Sequence, residues 1–326
     1  MQRLVRRMDG SILPILVLVL IGFIAKLVDS TLGLGYGTVL VPSLLLLGFP
    51  VDRVIPGVLL SEFISSALTA ISHRAIGTIS SHPRSEDFKV SFVLSTLGVI
   101  GAAAGVLVAL STPSTFITFY VLATVMFTGT LVIAGFEWRF SWGRITVLGF
   151  IASLNKALSG GGYGPIVAGG QMISGRDSKE ALCTTSTAEA FTTGTSWFLY
   201  ILVGTASLAW SVLLVFEIPL LVGAAASAPV AAYLVNKVDS RNVTPFVGAT
   251  AVSLSIVAMA DLIFGGIIAI GVALVALISL VFGAGWLQYE RRELQRAGEW
   301  PSPSRIYNQQ PCDEDKDEIE SSENEK

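Results

Sequence analysis

The chain has 326 residues, of which 52% are hydrophobic and 14% charged, and its mean hydropathy is +0.69. Soluble domains carry about 25% charged residues, so this composition excludes an ordinary soluble domain. Apolar runs near or above membrane-spanning length recur between Ile12 and Trp286. The sequence therefore predicts an all-α, polytopic integral membrane bundle of about 8–10 helices.

The two ends of the chain differ from its apolar middle. Residues 1–10 contain three arginines, which predicts a cytoplasmic N-terminus before an uncleaved first membrane helix. Residues 287–326 form a polar, acidic tail with a composition typical of disorder. Two cysteines and two histidines provide no pattern for a metal or cofactor, and the sequence contains no basic patch for nucleic acid. With no nucleophile–base pair either, we expect no enzymatic activity.

The middle of the chain reads as two membrane repeats, residues 11–137 and 143–261, followed by an extra membrane helix at 262–286. In the first repeat the predicted segments are, in order, 12–28, 38–48, 55–74, 90–110 and 116–136. The second repeat matches without a gap at an offset of 127 residues, which pairs Gly22 with Gly149 and Glu62 with Glu189. Such a match, including a rare intramembrane acid, indicates duplication.

The short segment 38–48 leaves two topologies open. At 1.5 Å per residue, its 11 residues span about 16 Å, roughly half of a bilayer core. If it crosses the membrane, each repeat has five crossings and the repeats are inverted. If it is re-entrant, each repeat has four crossings and the repeats are parallel. The distribution of basic residues does not decide between them.

A glycine-rich motif precedes the short helix of each repeat, Gly-Leu-Gly-Tyr-Gly in the first and Gly-Gly-Gly-Tyr-Gly in the second. Glycine permits positive φ and close ligand approach, and free N–H groups at a helix start suit an anion. We therefore expect these residues to bind substrate: Gly33, Gly35, Tyr36, Gly37, Gly160, Gly162, Tyr163 and Gly164. The alternative is that the glycines permit close helix packing and the tyrosines lie at the membrane interface.

A polar stripe follows one face of the third helix in each repeat. Its members are Glu62, Ser65, Ser66, Thr69 and His73 in the first repeat, and Thr185, Glu189, Thr192, Thr193 and Ser196 in the second. A carboxylate within a bilayer costs at least about 2.5 kcal/mol, so it faces protein or water. We interpret the two glutamates as proton-coupling sites, and Ser66 and Thr193 as substrate-binding hydroxyls. The alternative is that each glutamate hydrogen-bonds the broken backbone nearby.

Lysines lie close to both glycine motifs. Lys156 has no evident partner nearby in the sequence, which favours it as a substrate-binding cation. Lys26 has Asp29 three residues later, so a simple ion pair is the preferred interpretation there.

The segment from Gly22 to Pro42 resembles the TauE/SafE sulfite exporter family in its pattern Gly-Phe-Ile-x…Gly-x-Gly-x-Gly-x-x-x-x-Pro. The likeness covers roughly residues 13–282. It implies a duplicated membrane fold that exports small sulfur-containing anions such as sulfite and sulfoacetate, and it supports the motif glycines as functional positions. The tyrosines of both motifs depart from the family's glycine core, and Ala168-Gly169 stands where the second copy would have its proline.

The sequence thus predicts a cell-membrane transporter, an exporter of sulfite or related sulfur-containing anions or sulfonates, working by alternating access with proton coupling. Two alternatives stay open: a carrier or channel for another small anion such as a carboxylate, and a non-transporting scaffold that displays the acidic tail. The expected partners are the anion and the lipid bilayer, with a homo-oligomer left open.

Overall fold

The computed structural model describes residues 12–33, 35–75, 85–134, 142–173, 176, 178–203, 216–234, 240–264 and 285. Within these ranges the secondary structure is helical, as predicted. The ten helices are α1 (Ile12–Leu32), α2 (Tyr36–Leu46), α3 (Val51–Ala75), α4 (Glu86–Leu110), α5 (Ser114–Ala134), α6 (Trp142–Ser159), α7 (Tyr163–Ile173), α8 (Ser178–Leu202), α9 (Ile218–Leu234) and α10 (Ser240–Phe264).

Several predictions fall outside these ranges. The basic segment 1–10, nearly all of the extra helix 262–286 and the acidic tail 287–326 are not among the described residues. The helix boundaries of the repeats agree with the sequence to within a few residues. The short helices begin at Tyr36 and Tyr163, directly after Gly35 and Gly162, and thus two residues before the starts expected at Thr38 and Pro165. Gly35 and Gly162, which directly precede these starts, have φ of 80° and 78°. This left-handed backbone conformation favours glycine and separates each short helix from the residues before it.

The surface and interior of the bundle are arranged as lipid requires. By length and composition, three described helices can span a membrane: Leu13–Leu32, Val51–Ala75 and Glu86–Leu110. Large apolar side chains such as those of Phe92, Phe116 and Phe127 face outward. Charged and hydroxyl side chains such as those of Lys26, Asp29 and Ser66 are buried inside instead, where other protein groups bond them. This is an integral membrane bundle.

The short helix α7 returns toward the end of the bundle where α6 begins. Gly149, in the first half of α6, lies against Leu94, close to the start of α4. After α7 the chain reaches Arg176, which pairs with Asp87 in the first turn of α4. The end of α7 and the start of α4 are therefore together, and we name this the ionic end of the bundle. Helices α6 and α7 form a re-entrant pair that breaks at the second glycine motif.

Helices α1 and α2 repeat this arrangement at the other end. Phe49 follows α2, and its ring lies 4.7 Å, centroid to centroid, from that of Phe216, which precedes α9. Gly22 of α1 lies against Leu220 near the start of α9. We name this the aromatic end. The pairing is reciprocal throughout, because α1 packs on α9 as α6 packs on α4, and α3 packs on α9 as α8 packs on α4.

Helices α3 and α8 run in opposite directions. The ring of Phe63 lies against Gly194, whereas Ser66, three residues later on α3, bonds Glu189, five residues earlier on α8. The aromatic end holds the start of α3, and the ionic end holds the start of α8. Each half then contributes one re-entrant pair and three further helices. The opposite directions of α3 and α8, which occupy equivalent positions of the two halves, favour inverted halves.

The two glycine motifs meet each other at the middle of the bundle. A Cβ atom added to Gly37 would lie 1.7 Å from the carbonyl oxygen of Gly160, and one added to Gly164 would lie 2.6 Å from the amide nitrogen of Gly35. Only glycine permits this approach of backbone to backbone. The close-packing alternative is therefore realised, although it does not exclude a binding role.

We expect Gly37→Ala to destabilise the protein by about 1–3 kcal/mol or more, because overpacking forces two backbones apart. The measurement is thermal unfolding of the detergent-solubilised protein. Gly169→Ala is the matched control, since a Cβ there meets nothing within 4 Å. Equal melting temperatures for the two variants would contradict the contact.

Candidate functional site

Five charged side chains from four helices meet in the middle of the bundle. Lys26 and Asp29 come from α1, Glu62 from α3, Lys156 from α6 and Glu189 from α8, and none is more than 5% exposed. The polar faces of these helices turn inward because lipid offers no hydrogen bonds. We call this group the central charge cluster.

Lys156 is held by both glutamates. Its Nζ lies 2.5 Å from Glu62 Oε2 and 3.3 Å from Glu189 Oε1. The lysine that has no partner nearby in the sequence is therefore paired across the two halves of the fold. Both contacts join a glutamate to a lysine side chain and not to the broken backbone. Among the described residues, the alternative of glutamates that hydrogen-bond the backbone is therefore wrong for these contacts. A single cation thus lies between two carboxylates at equivalent positions of the two halves.

The pair Lys26–Asp29 performs two tasks. Lys26 Nζ lies 2.6 Å from Asp29 Oδ2, which confirms the simple ion pair. Its Nζ also donates to Ser66 Oγ at 2.8 Å and lies 3.9 Å from Glu189 Oε2. The other oxygen of Asp29, Oδ1, accepts the N–H of Gly35 at 2.9 Å. An aspartate thus holds the first glycine motif in the position where a bound anion was expected.

The amides of the second motif also have protein partners. Gly162 donates its N–H to Thr38 Oγ1 of the opposite half at 3.2 Å, and Gly161 donates to Ser159 Oγ at 3.1 Å. Asn155 adds a side-chain bond to the carbonyl oxygen of Gly161 at 3.2 Å. These amides would have to exchange partners before they could bind an anion.

Both motif tyrosines are fully buried, which rules out the membrane-interface alternative for them. The hydroxyl of Tyr36 accepts a hydrogen bond from Ser61 at 3.1 Å, and its ring centroid lies 5.8 Å from Lys26 Nζ. Tyr163 packs in an apolar cluster with Leu94 and Val167. The tyrosines fill the space beside the central charge cluster.

The predicted hydroxyls behave differently from one another. Ser66 Oγ bridges the cluster, accepting from Lys26 and donating to Glu189 Oε2 at 3.3 Å. Thr193 Oγ1 instead donates to the backbone carbonyl of Glu189 at 2.7 Å. Ser66 is therefore placed to contact a ligand of the lysines, whereas Thr193 satisfies its own helix.

Three carboxylate oxygens, one each from Asp29, Glu62 and Glu189, lie within 4.8 Å of one another. This spacing could hold a cation. The two lysine ammonium groups already supply positive charge to these oxygens, so the donor set does not require a metal ion.

The sequence interpretation missed a second polar group at the ionic end. Arg176 pairs with Asp87 and donates to Gln171 Oε1 at 3.2 Å. The same oxygen accepts from Thr184 at 2.9 Å, and the amide of Gln171 donates to Thr185 Oγ1 at 3.0 Å. The sequence offers one signal for this group, which is a difference between aligned positions. Arg176 in the second half stands where the first half has Phe49.

The sequence model described as "Sulfite exporter TauE/SafE" matches residues 18–259, which include all five charges of the cluster and both glycine motifs. The chain belongs to the TauE/SafE family. It is also similar to the "Probable membrane transporter protein YtnM" of Bacillus subtilis (strain 168), with 26% identity over 248 residues, covering 72% of this chain and 79% of that protein. No solved structure matches the chain. This TauE/SafE protein is a membrane transporter.

We expect Lys156→Met to cost about 3–5 kcal/mol of stability, because it leaves buried carboxylates without their cation. Adding Glu62→Gln should restore part of the loss, since the pair is then removed rather than broken. A double-mutant cycle on thermal unfolding measures this coupling. Additive losses from the two substitutions would show that the residues do not interact.

Proposed function

We propose that this protein transports small anions across the cell membrane by alternating access, with sulfite or a related sulfur-containing anion as substrate. The observation that carries the proposal is Lys156, a fully buried lysine shared by two carboxylates at equivalent positions of the two halves. A cation at this depth is a functional feature by default in a membrane protein. Membership of a family described as sulfite exporters supports the substrate class.

The charge balance of the cluster suggests how an anion would be admitted. Two lysines face three carboxylates, so there is no excess positive charge to attract an anion. An anion that binds Lys156 must displace Glu62 or Glu189 from it. The displaced carboxylate would be buried without a counter-charge, which strongly favours uptake of a proton. Anion and proton would then occupy the site together, and Ser66 would donate its hydroxyl hydrogen to the anion in place of Glu189.

The glycine motifs have a supporting role in this proposal. They let the backbones of the two halves meet beside the lysines without intervening side chains. When Asp29 releases the N–H of Gly35, that amide becomes a donor for the anion. The motif glycines thus remain proposed substrate contacts, in the open rather than the closed arrangement.

The positions of the basic residues suggest an orientation. Arg74, Lys89, Arg176 and Lys179 lie near the ionic end, and Arg53 lies near the aromatic end. Among the described residues, the positive-inside rule favours the ionic end as the cytoplasmic one. The predicted cytoplasmic N-terminus is the competing orientation, because α1 begins at the aromatic end and three arginines precede it in the sequence.

Glu62→Gln and Glu189→Gln, combined, should abolish uptake of labelled sulfite driven by a pH gradient in proteoliposomes, while binding of sulfite to the purified protein persists. Amides keep the shape of the side chains but take up no proton. Glu86→Gln is the matched control, because Glu86 is exposed at the start of α4. Gradient-driven flux that survives in the double variant would refute the proton-coupling role of the glutamates.

The substrate class is tested in the same vesicles by competition. Unlabelled thiosulfate and sulfonates should inhibit sulfite flux, and acetate should not. Inhibition by acetate alone would keep the transporter and replace the sulfur anion by a carboxylate. Absence of both flux and binding, in protein shown to be folded, would favour the scaffold alternative.

A further inference from the structure

An ion pair links two parts of the chain at the ionic end. Arg176 lies between α7 and α8, and Asp87 lies in the first turn of α4, and both side chains are largely buried, at 7% and 12% exposure. Glu180 Oε2 lies 3.8 Å from the same guanidinium. Arg176 follows the re-entrant pair of the second half, and its ion pair with Asp87 ties it to α4 of the first half.

This ion pair stands over a polar route to the central charge cluster. Gln171 bonds Arg176, Thr184 and Thr185, and Thr185 lies one helical turn before Glu189 on α8. Thr184 and Thr185 are themselves buried. Polar side chains therefore continue from the ionic end to the lysines.

The same positions at the aromatic end are apolar. The offset of 127 residues places Leu44, Phe49, Gly57 and Val58 opposite Gln171, Arg176, Thr184 and Thr185, respectively. Phe49 packs on Phe216 with ring centroids 4.7 Å apart, and a Cβ atom added to Gly57 would lie 2.7 Å from the Phe216 ring. The two corresponding junctions thus carry different chemistry, a charged network at one end and a tilted pair of aromatic rings at the other.

We propose that these two junctions are the gates of the transporter: an ionic gate formed by Arg176 and Asp87, and an aromatic gate formed by Phe49 and Phe216. This inference rests on the proposed alternating-access function. Each gate ties the connection after a re-entrant pair to the start of a helix from the other half, so movement of a re-entrant pair requires its own gate to open. In the structure both gates are closed over the cluster.

The chemistry of each gate determines what an anion meets when the gate opens. Separation of Arg176 from Asp87 frees guanidinium N–H groups above a path of amide and hydroxyl groups, so that an anion can take the place of Asp87 on them. Separation of Phe49 from Phe216 exposes apolar walls and the buried side chain of Glu217, which give a leaving anion no cationic site at which to remain. The ionic gate is thus an entrance that selects charge, and the aromatic gate is an exit.

The test uses cysteine reporters under each gate in the full-length protein, with Cys183 and Cys312 replaced by alanine. The reporters are Thr185→Cys below the ionic gate and Val58→Cys, at the equivalent position, below the aromatic gate. Both parent residues are at most 4% exposed. Each reporter is reacted with a membrane-impermeant methanethiosulfonate, which reaches only the outside of a vesicle. Right-side-out and inside-out vesicles are used in turn, so that each face of the protein is probed separately.

Arg176→Gln should speed modification of the cysteine at 185 by at least about tenfold, from one face only, because a hydrogen bond between charged groups contributes about 1.5–3 kcal/mol to the closed state. The rate at position 58 should not rise. Phe49→Ala should produce the reverse pattern from the opposite face. Arg176→Lys keeps the positive charge and should leave the reporter at 185 protected.

The gates would be overturned if both reporters responded to the same gate variant, because that result indicates general loosening. They would also be overturned if neither reporter responded to either variant. Reaction of both reporters from one face would equally refute gates at opposite ends. The labelling needs no substrate, so it separates the two proposals. Absence of sulfite flux with the expected labelling refutes only the substrate, and normal flux without the labelling pattern refutes only the gates.

Discussion

The structure depends on the pairing of five charges at the middle of a bundle that is surrounded by lipid. An unpaired charge at that depth is among the most costly features a membrane protein can contain. Lys156 satisfies two glutamates from different halves, and Lys26 satisfies Asp29 while reaching Ser66. Helices α1, α3, α6 and α8 are therefore fixed at one depth relative to one another, because sliding any of them would separate an ion pair.

The backbone breaks follow from the same constraint. A helix can end within a bilayer only where its free amide and carbonyl groups find partners. Asp29 accepts the amide of Gly35, and Thr38 accepts that of Gly162 from the opposite half. The charges thus hold the helix breaks in place, and the glycines allow the breaks to approach one another closely enough to share partners.

Local patterns in the sequence were sufficient for the helices and for the residues of the cluster. The glycine motifs marked the breaks, and the matched glutamates, being rare in lipid, marked the centre. Pairing was not predictable, because Lys156 meets Glu62 across 94 positions of the chain and no local pattern encodes that contact. The hydrogen bond from the amide of Gly35 to Asp29 was not predictable either. An aspartate six residues before the glycine can equally pair with Lys26 alone.

Topology was the least accessible property. Length alone could not distinguish a short helix that crosses from one that returns. The contact of Arg176 with Asp87 settles the direction of α7, but neither residue belongs to a recognisable motif. Only the comparison of residue 176 with Phe49 reveals that equivalent junctions have diverged.

One substitution between the halves has a consequence for their ancestry. The position of Asp29 in the first half is occupied by Lys156 in the second, and Lys26 is matched by Ser153. A symmetric pair of first halves would bury two lysines with four acids, and a pair of second halves would leave both glycine motifs without the aspartate that caps the first. If the halves descend from one ancestral unit, the present site became available only after duplication, which allowed each copy to mutate alone. Neither half alone contains all the residues of the central charge cluster.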